Sequence, residues 1–171
     1  MLQIRMGFSS LIFDVSLKAA TGSRQKGRFD KAAKDFDRAV NEARQQGAPP
    51  QAITLSLLMR GVNYRDWANN GSRDKFRLAE QDYLELLGIN EMARGPGKDD
   101  ALRTKRLLAV VCQDWGASTP AKLIDAERWF REWLAAVPDT NPEKAEVLFS
   151  LAQVLAARGQ RSAAEQPLTR H

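Results

Sequence analysis

Nucleophilic and acid-base chemistry near neutral pH usually runs through histidine, and the chain holds one, His171, as its last residue. The single cysteine, Cys112, reads as a small apolar residue inside a helix. A lone cysteine also rules out an intramolecular disulfide framework and suits a reducing compartment. Gly95-Pro96-Gly97-Lys98 lacks the spacing of a phosphate-cradling loop, and Asp99-Asp100 and the pair Lys31 and Lys34 read as solvated surface charges. Metal coordination is expected to need ligands that this sequence lacks. The residues therefore predict no catalytic group, no cofactor and no metal, and point to a protein that is not an enzyme.

The remaining chemistry is electrostatic. Lys and Arg number 26 against 21 acids, a formal charge of +5. That excess is thinly spread: residues 1–50 carry +4, residues 51–100 carry −1 and residues 101–171 carry +2. Interleaved charges of both signs are the mark of solvated helix faces rather than of a nucleic-acid patch. The alternative, a helical array that binds nucleic acid, would gather Arg60, Arg103, Lys105 and Arg106 on one surface, with binding that falls steeply with salt.

The elements that position these side chains follow from a repeat. Phe29, Ala32, Phe36 and Ala39-Val40 return as Phe76, Ala79, Tyr83 and Leu86-Leu87, and again as Leu123, Ala126, Phe130 and Trp133-Leu134, each time 47 residues on. Aromatics are only 8% of the chain, so one at 36, 83 and 130, each four residues after an alanine, marks a repeated structural unit. Such a unit cannot bury its apolar face alone and stacks on its neighbours. Ala32, Ala79, Ala126 and Ala164 are expected where helices approach closely, with Phe36, Tyr83 and Phe130 in the core. Trp129 and Trp133 are too close in sequence to share one seam equally, and one is expected at the surface.

Loop chemistry at 21–23, 47–50, 69–72, 95–97, 116–120 and 138–142 separates seven or eight segments of helical length. Within 27–46 the apolar residues fall at three- and four-residue steps. Only the Leu2, Ile4, Met6, Phe8 run alternates as a strand would. Ser118 or Thr119, and Asn141, are placed to cap helices with proline in the first turn, and Gly88 and Gly159 to end helices at positive φ. The apolar stretch from Met6 to Leu17 is broken by Asp14 and lacks a cleavage site, and no run approaches membrane-spanning length. A soluble, cytoplasmic protein is the expectation, with no membrane and no small-molecule substrate.

These motifs resemble the tetratricopeptide repeat family, whose two-helix unit is 34 residues long. Leu148, Leu151-Ala152 and Leu155 resemble its first helix, with Gly159 in the place of its turn glycine and Ala164 in its second helix. Leu57, Arg60-Gly61 and Tyr64 followed by Phe76, Ala79 and Tyr83 resemble a second copy. Ala126, Phe130 and Pro138 resemble a third, and Gly27, Phe29, Ala32, Phe36 and Ala39 the second helix of a first. HEAT- or armadillo-like repeats suit a 47-residue period too, but the Arg60-Gly61 step and the span from Gly159 to Ala164 fit the tetratricopeptide pattern better. The resemblance implies an all-α, right-handed α-solenoid of three to four antiparallel helix hairpins, with residues 1–24 as an N-terminal helix or first hairpin and 25–171 as the repeat domain.

First helices of that family line a concave groove that holds a peptide. The register inferred by resemblance places Leu55, Leu58, Val62, Arg65 and Asp66 there, then Leu102, Lys105, Ala109 and Gln113, then Glu146, Phe149, Gln153 and Ala157. Lys105 and Arg65 alone do not make the Lys, Asn and Arg cluster that clamps a peptide carboxylate. A hydrophobic or amphipathic segment fits better, so the expected function is a scaffold that binds a protein or peptide partner. At the C-terminal end, Leu151, Val154 and Leu155 are expected to be poorly covered, which predicts cover there by self-association, by a partner or by further sequence.

Overall fold

The computed structural model describes residues 10–92 and 97–165, and among these the secondary structure is helical throughout. Seven α-helices follow in order: α1 (Ser10–Gln25), α2 (Phe29–Gln45), α3 (Pro50–Asn69), α4 (Phe76–Met92), α5 (Gly97–Gly116), α6 (Lys122–Ala136) and α7 (Lys144–Glu165). One turn of 3-10 helix, Arg73–Lys75, leads into α4. The run from Leu2 to Phe8 and His171 lie outside the described residues.

The period of 47 is written into the helix starts. Pro50, Gly97 and Lys144 open α3, α5 and α7 at that interval, and Phe29 and Phe76 open α2 and α4. Ala32, Ala79 and Ala126 are fully buried on the even-numbered helices, and Phe36, Tyr83 and Phe130, one turn later, lie buried beside them. A helix that presents alanine lets its neighbour approach, and the aromatic one turn on fills the space left beside the contact.

The chain divides into two compact units, Met1–Arg94 and Gly95–His171. In the first, α1 packs on α2, α2 on α3 and α3 on α4. Phe13, Leu17 and Ala20 of α1 meet Ala32, Phe36, Ala39 and Ala43 of α2, with Ala48 and Ile53 closing the cluster. Neighbours run antiparallel: Asn63 Nδ2 donates to the Phe29 carbonyl at 3.0 Å, and Arg60 reaches Asp37 two turns further along α2. In the second unit α6 packs between α5 and α7.

Three loops close alike. Gly27, Gly47 and Gly71 take positive φ, and the next N–H donates back five residues, Arg28 to Ser23, Ala48 to Ala43 and Ser72 to Trp67. This is the Schellman geometry, which glycine enters without a steric penalty. The expectation for Gly88 and Gly159 is therefore corrected. Both lie inside continuous helices with ordinary φ, and α7 runs through Gly159 with no turn, so the helix break expected before Ala164 does not occur.

The capping expectations divide. Asn141 Oδ1 accepts from the Glu143 N–H at 2.8 Å ahead of α7. Ser118 instead donates its hydroxyl to the Trp115 carbonyl at the end of α5, while α6 begins at Lys122 with no side-chain cap. Trp129 and Trp133 are both buried, so neither is a surface anchor. Residues four apart share one helix face, so both indoles turn to the core, and the Arg128 guanidinium lies over Trp129 at 4.6 Å.

Candidate functional site

The surfaces free to meet a partner are set by what each odd-numbered helix turns away from its neighbours. On α3, Leu55, Leu58, Val62 and Arg65 fall at steps of three and four and form one stripe. Leu55 is 43% exposed, whereas Leu58, Val62 and Arg65 are partly covered. The next residue, Asp66, is paired with Arg24 of α1.

In the second unit, α5 and α7 lie side by side in the same direction. Arg106 reaches Glu143 at 2.9 Å and Glu146 at 2.7 Å, and Gln113 Nε2 donates to Gln153 Oε1 at 3.2 Å, so both helices advance together. Phe149 is 66% exposed and Gln153 is exposed one turn later. Lys105 turns the other way, to Glu132 of α6 at 3.0 Å, and Ala109 is fully buried. The surface register of α5 therefore runs through Arg103, Arg106, Val110 and Gln113, one position beyond the expected one at its first three places.

The same pattern links α1 to α3 in the first unit, where Arg24 holds Asp66, and α2 to α4, where Arg44 holds Glu85. A helix is thus tied to the second helix after it as well as to its immediate neighbour, an arrangement suited to successive repeats.

Behind the α3 stripe lies a charge cluster in which Arg60 and Asp82 are largely buried and Asp37 is half-exposed. Arg60 donates through Nε and NH2 to both oxygens of Asp82 at 2.9 and 2.6 Å, and through NH1 to Asp37 at 2.8 Å. One guanidinium on α3 so fixes α4 and α2 together. Burial alone would lower the Arg60 pKa, but the hydrogen bonds and charge of Asp82, with Asp37, more than offset it and hold the pKa above its ordinary value. Burial pushes the phenols of Tyr64 and Tyr83 up, so both are neutral at physiological pH.

Two loops carry a clasp that composition alone did not point to. Lys75 lies over the Trp67 ring at 4.9 Å, and Lys122 over Trp115 at 4.6 Å, closing the α3–α4 and α5–α6 turns. The available signal was a tryptophan followed seven or eight residues later by lysine in two successive repeats. A cleft of about 390 Å³ opens between the start of α5 and the turn into α7, over Leu102, Trp133, Val137 and Pro142, with Arg103 and Glu143 at its lining.

Comparison with protein-family models, with curated proteins and with solved structures gives no match. The site is therefore read from its own geometry. No described helix is long and apolar enough to cross a membrane.

Proposed function

We propose that this chain is a non-enzymatic scaffold of the tetratricopeptide-like kind, a right-handed α-solenoid that holds a peptide or helix of a protein partner along its odd-numbered helices. The observation that carries the reading is the pairing of alternate helices, Arg24 to Asp66 and Arg106 to Glu143 and Glu146, beside surfaces that mix apolar and polar residues. Leu55, Leu58 and Val62 supply an apolar strip of the sort that receives one face of an amphipathic helix, and Phe149 with Gln153 supplies a second contact surface. A cytoplasmic setting is part of the proposal and rests on the lone cysteine.

The nucleic-acid alternative draws less support. All four cations it would gather are paired with carboxylates, Arg60, Lys105 and Arg106 at hydrogen-bond distance and Arg103 with Asp100 at 3.8 Å. The test is capture of partners from lysate of the source cells by the native chain and by Leu58→Glu with Val62→Glu, after circular dichroism shows equal helix content. A specific protein retained by the native chain and lost by the variant is the expected result. Equal retention, or recovery of nucleic acid released by moderate salt, would reject it.

A further inference from the structure

α7 carries a surface of a kind found on no other described helix. Ala145, Leu148, Ala152, Leu155, Ala156 and Gly159 are all exposed and all uncharged, in a chain where 27% of residues are charged. At about 100° per residue they fall within about 60° of Ala152 on either side, with Phe149 at the edge, so they form one stripe centred on that alanine. Leu148 is 50% exposed, Phe149 66% and Leu155 39%. The opposite face is covered as a core face should be. Leu151 and Val154 are buried, which corrects the expectation that they lie open, and Arg158 holds Glu127 of α6.

The repeat identifies the stripe as an interior face. Counting back 47 residues, Leu148, Ala152 and Leu155 correspond to Ala101, Lys105 and Leu108 on α5. There Ala101 and Leu108 are buried, and Lys105 is bonded to α6. On α7 the same positions hold two leucines and an alanine turned to solvent.

The spacing of large and small residues selects the occupant. About a two-fold axis through Ala152, an antiparallel second copy of α7 brings Leu148 against Leu155, Phe149 against Ala156 and Ala145 against Gly159 of that copy, with the two Ala152 residues meeting at the centre. Large side chains thus meet large ones or enter the space beside small ones, and no charge opposes a like charge along the stripe. Flanking the stripe, Glu146 falls opposite Gln160 of the second copy, a pairing that a hydrogen bond can satisfy.

We propose that α7 is a homodimerisation face on which a second copy of this chain packs antiparallel about Ala152. The inference needs only α7 and concerns a copy rather than a partner; it shares Phe149, at the edge of the stripe, with the groove reading, and its test at Ala152 does not touch that residue. The contact spans about 21 Å of helix, from Ala145 to Gly159. One helix pair of that length buries less than the roughly 1,200 Å² at which standard interfaces begin, so the dimer is weak and dissociates on dilution.

The test is light-scattering mass over a concentration series, from about 5 to about 500 µM, the range in which such small interfaces exchange. The mass should rise from 19.1 kDa toward twice that value, and Ala152→Arg, which preserves helix propensity, should hold it at the lower value. Mild oxidation adds a positional readout. Ala152→Cys should form a disulfide dimer across the axis, whereas Gln153→Cys, equally exposed but off the stripe, should not. A mass that stays at 19.1 kDa throughout, a dimer that survives Ala152→Arg, or equal cross-linking at 152 and 153 would each overturn the proposal.

Discussion

Tyr83 occupies the position that Phe36 and Phe130 fill in the other repeats, and its hydroxyl is buried without a hydrogen-bond partner. A buried hydroxyl that gives up water for nothing costs stability. Tyr83→Phe is therefore expected to leave the fold unchanged or stabilise it by up to about 1 kcal/mol, measured by urea unfolding. A loss greater than that would mean the hydroxyl has a partner. The residues that set this core were legible, since an alanine followed four places on by an aromatic can be counted along the chain. Arg60 was not legible in the same way. Its sequence pattern suits a solvated face, and only the fold brings Asp37 and Asp82 around it from two other helices.

Helix boundaries show the same division between local and tertiary causes. Gly27, Gly47 and Gly71 close loops that need positive φ, whereas Gly61 inside α3 and Gly116 at the end of α5 sit at close contacts. A methyl group at Gly61 would stand 2.5 Å from Tyr83 Cε1 and 2.9 Å from Cδ1, while one at Gly88 would meet nothing within 4 Å. Gly61→Ala should thus cost about 1–3 kcal/mol through overpacking, and Gly88→Ala should gain about 0.5–1 kcal/mol from helix propensity. Thermal unfolding of the two variants checks both signs, and a stabilising Gly61→Ala would contradict the packing between α3 and α4. Glycine type alone could not separate these roles, because a turn and a tight helix crossing ask for the same missing side chain. Asn141 was easier to place, since an acceptor side chain just before proline and glutamate satisfies a helix start by short-range chemistry alone.

Across the whole molecule, one 47-residue register runs through α2, α4 and α6 and through α3, α5 and α7, in both compact units. That much of the architecture was legible, because repeats announce themselves by self-similarity. The surface was legible only in part. Leu55, Leu58 and Val62 share a stripe, but Lys105 turned to Glu132, a choice decided by a carboxylate 27 residues away rather than by its own helix. The central claim of the proposed function is that the partner lies along the odd-numbered helices, whose opposite faces join the even-numbered helices in the core. Hydrogen exchange of the chain, free and with a partner captured through the native protein, tests this most directly. The account predicts added protection in 50–69, 97–116 and 144–160 and little change in 29–45, 76–92 and 122–136. Protection gained chiefly on the even-numbered helices would contradict it.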